Sequence, residues 1–346
     1  MSILDLIRGN YRVVSVVGMA KNAGKTSALN DILYSAFDAG IRLGLTSIGR
    51  DGERVDVVTC TEKPMIYIER GTLIATAESL FHCSEAKLEV LEMTDYQSSL
   101  GRIVIARAVS SGNVEIGGPV TNLEIRAVSE RMLAFGAELV LVDGALDRVS
   151  SASPAITDAT ILSTGAVLSR DMNKVIEQSI HRVHLLQLET VEDPVVRLLA
   201  EECLAERQIA VIDDIFEVRT VEAKTALGAG IKIAEVLDEH ARYIVLPGSL
   251  VTKTMRDLLA ASSHFKAVTL IVRDATKIFV DARDWQLFKR AGLSVKVLDP
   301  IRVLAVTINP YAPQGYYFDP KTFRRRMTED LQPIPVFDVM EGESDL

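Results

Sequence analysis

Residues 11–48 leave the chain few ways to begin folding. Tyr11-Arg-Val-Val-Ser-Val-Val-Gly18 is short, β-branched and apolar on both faces, the pattern of a strand buried inside a parallel sheet. A polar, glycine-containing loop follows. In residues 26–39, Leu29, Ile32, Leu33 and Phe37 recur at helical spacing, and Gly40 stands where it can end the helix. Residues 41–48 read as a second strand. The order strand, loop, helix, strand predicts a parallel sheet with a right-handed crossover.

The loop between that first strand and helix reads Gly18-Met-Ala-Lys21-Asn22-Ala23-Gly24-Lys25-Thr26. A loop in this setting presents backbone N–H groups and a helix N-terminus to an anion. Gly24 lets the backbone approach phosphate closely, because a Cβ there would intrude. Lys25 supplies a compact positive charge for β- and γ-phosphates, and the Thr26 hydroxyl is a ligand for Mg²⁺ bridging phosphate oxygens. Lys21, Asn22, Ala23, Gly24, Lys25, Thr26 and Ser27 are therefore expected to line a nucleotide. The usual pattern has Gly six positions before the Lys; Met19 stands there, with Gly18 one residue earlier. The competing reading is a degenerate loop that takes a simple anion or nothing.

Glu138-Leu-Val-Leu-Val-Asp143-Gly144 adds an acid at the carboxyl end of an apolar strand, where a phosphate-binding fold holds its second Mg²⁺ carboxylate. Its alternative is an Asp capping a turn. Asp51 follows the strand after the loop helix and is the candidate for orienting water or metal, with Glu53 second. An Asp51-Gly52 turn competes equally. Beyond Asp143, the residues Asp147, Arg148, Ser150, Ser151 and Ser153 make a polar loop facing the terminal phosphate or a partner. Residues 116–121 and Ser163-Thr164-Gly165 read as turns at sheet ends, by default plain turn chemistry. The chain has no Asn-Lys-x-Asp, which favours ATP over GTP, and no GxSxG.

Composition removes other classes. Of 346 residues, 48% are hydrophobic and 25% charged, a globular balance. A net charge of −9 repels nucleic-acid backbones and anionic membranes, while leaving room for one local anion site. Arg324-Arg-Arg326 reads as a solvated helix face. Cys60, Cys83 and Cys203 form no CxxC, and His181 and His184 suggest a helix surface rather than a metal. The first residues carry Asp5 and Arg8 without a long apolar run, and no stretch reaches the ~20 apolar residues that cross a bilayer. The expectation is a soluble cytoplasmic protein.

The expected fold class is α/β. A P-loop NTPase-like parallel-sheet domain spans 1–190, and a second, smaller α/β domain spans 191–346. Within the first, 75–80 reads as helix, 97–107 as containing a strand, 122–135 as helix, 138–142 and 159–162 as strands and 172–183 as helix. The second has strands at 210–212, 243–246, 267–272, 294–298 and 303–308, with helices at 251–261 and 320–331. The strand ends at 268–274 and 307–313 are available to a partner; core is their default reading.

Two resemblances add to this. Lys21-Asn22-Ala23-Gly24-Lys25-Thr26 is similar to the loop of the P-loop accessory proteins of molybdopterin guanine dinucleotide synthesis, over the first strand, loop and helix only. Val142-Asp-Gly-Ala-Leu-Asp-Arg148, Ser153-Pro-Ala-Ile-Thr-Asp-Ala-Thr-Ile-Leu-Ser-Thr-Gly-Ala166, Ile308-Asn-Pro-Tyr-Ala-Pro313 and Pro335-Val-Phe-Asp338 resemble the P-loop subunit of the reactivating factor for lysine 5,6-aminomutase. That resemblance implies an ATPase subunit of a chaperone-like reactivase, which releases damaged cobalamin from an adenosylcobalamin-dependent aminomutase. It implies action with a MutS-like companion subunit, Lys25 and Thr26 on phosphate and Mg²⁺, and Asp143 on the metal. The rival readings are an ATP- or GTP-dependent enzyme or accessory protein of cofactor biosynthesis, and a nucleotide-sensing module that does not hydrolyse.

Overall fold

The structure is a computed structural model and describes residues 2–48, 66–144, 152–153, 155–223 and 225–340. In chain order, the first stretch carries α1 (Ile3–Ile7), β1 (Val13–Gly18), α2 (Lys25–Asp38), β2 (Leu43–Ser47), β3 (Ile66–Ile68), β4 (Leu73–Ala77) and α3 (Glu78–Phe81). It continues with β5 (Leu88–Ser98), β6 (Gly101–Ala108), β7 (Gly112–Val114), α4 (Asn122–Ala134), β8 (Leu139–Asp143), β9 (Ala159–Gly165) and α5 (Met172–Leu186). Then come α6 (Pro194–Ala205), β10 (Ile209–Asp213), β11 (Val218–Val221), α7 (Gly230–Val236), β12 (Ala241–Val245), β13 (Leu250–Val251), α8 (Thr252–Ala261), β14 (Thr269–Val272), β15 (Ile278–Phe279), α9 (Ala282–Arg290) and β16 (Ser294–Val297). The chain closes with β17 (Val303–Asn309), α10 (Pro320–Leu331) and β18 (Val336–Asp338).

The protein is α/β and divides into two units, Met1–Ile176 with Arg302–Leu346, and Glu177–Ile301. The first is built on a nine-stranded sheet of order β18-β17-β9-β1-β8-β2-β4-β6-β5. The pairings from β18 through β4 are parallel, and β4–β6 and β6–β5 are antiparallel. The sheet is thus mixed and mostly parallel, departing from the expected parallel sheet only at its β4-β6-β5 edge. The antiparallel edge comes from 88–108, where a short turn permits a hairpin and leaves no length for a crossover.

Both faces of the central strands are covered, which is why they are apolar throughout. Val14 and Val16 of β1 and Leu139 and Leu141 of β8 pack with Leu29 and Ile32 of α2 and with Ile3 and Ile7 of α1. The alternate residues Val13, Val140 and Val142 pack with Ile125, Val128 and Met132 of α4. Thr121 caps α4 in a reciprocal box with Glu124. The expected helix at 75–80 is corrected: β4 runs to Ala77 and a single turn of helix follows. Leu73–Ala77 is buried at every position, and burial on both sides of a sheet overrides local helix propensity.

The expected division at residue 190 is also corrected. Residues 302–346 were expected in the second domain, but β17 pairs in parallel with β9 and β18 with β17. Phe323, Met327 and Leu331 of α10 are buried with them. The second unit holds its own sheet, β11-β10-β12-β14-β16. β10 pairs antiparallel with β11 and β12, and β12, β14 and β16 are parallel. Its core gathers Ile233, Met255, Leu258, Trp285 and Phe288 from three helices against Val211, Ile244 and Leu270. Among the described residues, no helix is long and apolar enough to cross a membrane.

Candidate functional site at the carboxyl edge of the nine-stranded sheet

Strand register brings five chain segments to one edge. Ser47 of β2 is level with Asp143 of β8, and Asp143 is level with Val16 of β1. On the other side of β1, Gly18 is level with Ser163 of β9, and Gly165 with Asn309 of β17. In a parallel sheet the loops leaving these ends all emerge together, so residues from 18 to 309 meet there.

The 19–24 loop leaves β1 at this edge and enters α2. Its backbone is held by Met19 N–H donating to the Ser163 carbonyl at 2.9 Å and Ala23 N–H donating to the Ala20 carbonyl at 3.3 Å. Asn22 and Gly24 adopt positive φ, 64° and 89°. Gly24 is in the left-handed region at the N-cap of α2, and a Cβ there would come within 3.0 Å of the Asn309 Cβ and 3.4 Å of Val339 Cγ2. Glycine is favoured here by conformation, and a Cβ would press on Asn309. The start of α2 has no side-chain cap and no acidic residue in its first turn, as is also true of α7 and α8, whereas α4, α6, α9 and α10 are capped by Thr121, Asp193, Asp281 and Asp319. The partial positive end of the α2 dipole is left for an external anion.

Lys25 begins α2 and turns back over the sheet edge. Its Nζ lies 2.7 Å from Asp143 Oδ1 and donates to the Gly144 carbonyl at 2.6 Å. Gly144 N–H in turn donates to the Val16 carbonyl at 3.0 Å, fixing the carbonyl that receives Lys25. The two charged side chains are about four-fifths buried, at 19% and 24% exposure. Thr26 and Ser27 are half-buried on the same first turn, Ala23 and Gly24 are buried, and Lys21 and Asn22 are exposed.

The oxygen donors here suit a hard cation that keeps waters and phosphate oxygens as its remaining ligands, as Mg²⁺ does. Thr26 and Asp143 are the residues that would hold it. Among the described residues no group of three or more His, Cys, Asp or Glu side chains could hold a metal by themselves. Asp143 Oδ1 is sealed from solvent and meets Lys25 as an ion pair without hydrogen-bond geometry, so it is an acceptor with capacity left.

The structure places Lys25 and Asp143, both singled out in the sequence, side by side. Asp51, Glu53, Asp147, Arg148, Ser150 and Ser151 lie outside the described residues. Ser153 is buried, and its carbonyl accepts from Ile156 N–H in a turn. Ser163-Thr164-Gly165, expected as a turn, is instead the end of β9, paired with β1 and β17, and 116–121 reaches the same edge beside β2. Gly118 N–H donates to Ser47 Oγ at 3.1 Å, and a Cβ on Gly118 would stand 2.0 Å from the Ser47 carbonyl.

Asn309 was not anticipated. Its Nδ2 donates to the Asn22 carbonyl at 3.2 Å, and its Oδ1 accepts from Tyr311 N–H at 3.0 Å. It braces the 19–24 loop from a strand more than 280 residues away in sequence. The available signal is an Asn-Pro pair ending an apolar strand that the sequence pattern places in the second domain. No family model matches this chain, and neither does any curated protein or solved structure.

Proposed function

We propose that the 18–27 loop is a P-loop that binds the phosphates of a nucleoside triphosphate with Mg²⁺, and that the chain is an ATPase. One observation carries this reading. A left-handed glycine opens an uncapped helix whose first residue, Lys25, meets the strand-end carboxylate Asp143 at 2.7 Å. Cation and carboxylate meet beside the helix N-terminus, with Thr26 next in sequence to Lys25, the set of groups that phosphoryl transfer uses.

Lys25 would exchange its contact with Asp143 for β- and γ-phosphate oxygens. Asp143 and Thr26 would then face the metal, whose contribution is to neutralise phosphate charge. Water attacks the γ-phosphorus as the bond to the β-phosphate oxygen breaks, giving ADP and inorganic phosphate. Asp51 is the carboxylate proposed to orient that water or the metal. GTP is the alternative substrate.

On the resemblance to the lysine 5,6-aminomutase reactivating factor, we assign the ATPase a chaperone-like task. With a MutS-like companion it would open an adenosylcobalamin-dependent aminomutase and release damaged cobalamin. Departure of the γ-phosphate removes a ligand from the edge at Asp143, and the loop after Asp143 is the element whose contacts would change.

The test is phosphate release from the purified chain with Mg²⁺ and ATP or GTP, alone and with a turnover-inactivated aminomutase and the companion. Nucleotide-dependent recovery of mutase activity that Lys25→Ala abolishes is the expected result. Hydrolysis without recovery would retain the ATPase and discard the reactivase. Binding and hydrolysis unchanged in Lys25→Ala would discard both.

A further inference from the structure

We propose that the hairpin at residues 310–318 is the nucleobase shelf of this same site, with Tyr311 and Tyr317 stacking on the base of the bound nucleotide. The inference rests on the nucleotide reading and adds where the base goes.

The hairpin is closed by three backbone hydrogen bonds. Phe318 N–H donates to the Pro310 carbonyl at 2.9 Å, Ala312 N–H to the Tyr316 carbonyl at 2.9 Å, and Gly315 N–H to the Ala312 carbonyl at 3.0 Å. Gly315 turns the tip at φ +84°. Alternation along the second arm sends Phe318 into the core, edge-on to Phe323 with ring centroids 5.3 Å apart. Tyr316 points inward as well: its hydroxyl donates to the Ala166 carbonyl at 2.7 Å, and the Arg170 guanidinium covers its ring.

Tyr317 must then face outward, and it bridges antiparallel to Tyr311 on the opposite arm. The two rings lie 6.1 Å apart and inclined by 36°, and the residues are 69% and 41% exposed. A cross-strand aromatic pair on a braced hairpin, with one face open, is a preorganised stacking surface. Residues 310–318 contain no charged side chain, which suits a neutral ring system rather than phosphate.

Its place relative to the loop follows from the topology. Asp143, at the metal and γ-phosphate end, is on β8, to one side of β1. The phosphate chain therefore extends to the other side, where β9 and β17 end. The hairpin begins there, and Asn309 joins it to the loop by donating to the Asn22 carbonyl and accepting from Tyr311 N–H.

The experiment is calorimetric titration of the full chain with Mg²⁺ and ATP, GTP or inorganic tripolyphosphate. Wild type, Lys25→Ala, the double variant Tyr311→Ala/Tyr317→Ala and the double variant Tyr311→Phe/Tyr317→Phe are compared. Stacking on an aromatic side chain predicts that the alanine pair loses about 5- to 100-fold in affinity for the preferred nucleotide, with tripolyphosphate unchanged. The phenylalanine pair, which keeps both rings, is expected to stay within about twofold of wild type on the same stacking argument. Equal affinity of wild type and the alanine pair for the nucleotide overturns the shelf and leaves the P-loop reading standing. Absence of any tripolyphosphate or nucleotide binding sensitive to Lys25→Ala overturns the P-loop reading, and the shelf with it.

Discussion

Lys25 Nζ stands 2.7 Å from Asp143 Oδ1, joining the first residue of α2 to the last residue of β8. The cation proposed for phosphate is thus folded onto the carboxylate proposed for the metal. A magnesium nucleotide would separate them by offering both a better partner.

Lys25→Ala and Asp143→Asn should therefore fail differently. A charge-assisted hydrogen bond contributes about 1.5–3 kcal/mol, so Lys25→Ala should weaken nucleotide binding by about tenfold to a hundredfold with or without Mg²⁺. Asp143→Asn should keep metal-free binding and lose the gain that Mg²⁺ confers. Equal losses in both variants under both conditions would show that the two groups do not divide the roles in this way. Titration with and without chelator reads the difference.

Gly24→Ala puts a Cβ 3.0 Å from the Asn309 Cβ on a residue with φ +89°. Holding a non-glycine residue in the left-handed region costs about 1–2 kcal/mol, a fall of about 2–8 °C in melting temperature for a unit of this size. Asn309→Gly takes away the facing Cβ but leaves the conformational cost untouched, since that cost arises from φ. The double variant should recover only the steric part. Thermal melts of the three variants separate the two effects.

A chain ending at Ile301 would lose β17, α10 and β18. It would expose the edge of β9 and remove Phe323 and Met327, which are fully buried. Unpaired parallel edges and uncovered apolar faces aggregate. The truncated chain should be insoluble or lose the cooperative transition of the first unit, as followed by sedimentation and circular dichroism. A soluble, cooperatively folding product would restore a boundary near 190.

His181 responds to pH in the second unit. Its ring is half-buried, and Nε2 lies 2.8 Å from the Val280 carbonyl, so that nitrogen carries the donating proton. Burial holds its pKa below the usual 6.5, with Arg182 and His184 adding to the effect against Val280 and Asp281. A group whose folded pKa is lowered binds fewer protons folded than unfolded, so stability falls as pH drops below 6.5 toward the folded pKa. Denaturant unfolding at about pH 7.5 and about pH 5.5 should show that loss, and His181→Gln should flatten it.

Much of the architecture was legible locally. The alternation of two-faced strands with amphipathic helices predicted β1, α2, β2, α4, β8 and α10 to within a few residues, because each is decided by neighbours three or four positions away. The loop chemistry was legible for the same reason: Gly24, Lys25 and Thr26 are consecutive. Asp143 could be singled out because an acid ending an apolar strand is conspicuous. The 75–80 segment went the other way, since burial on both faces of β4 is settled by partners distant in sequence.

The sequence alone determined that the chain would be α/β, that its first strand and helix would flank a glycine-bearing loop, and that Lys25 would stand just before a helix and Asp143 at the end of an apolar strand. Only the tertiary structure decided that they would touch, that residues 302–346 would return to the first sheet, and that Asn309 would brace the loop. The physical reason is that local pattern fixes which residues a strand or helix hides. Strand order depends on pairing free energy between segments hundreds of residues apart, and no local pattern records it.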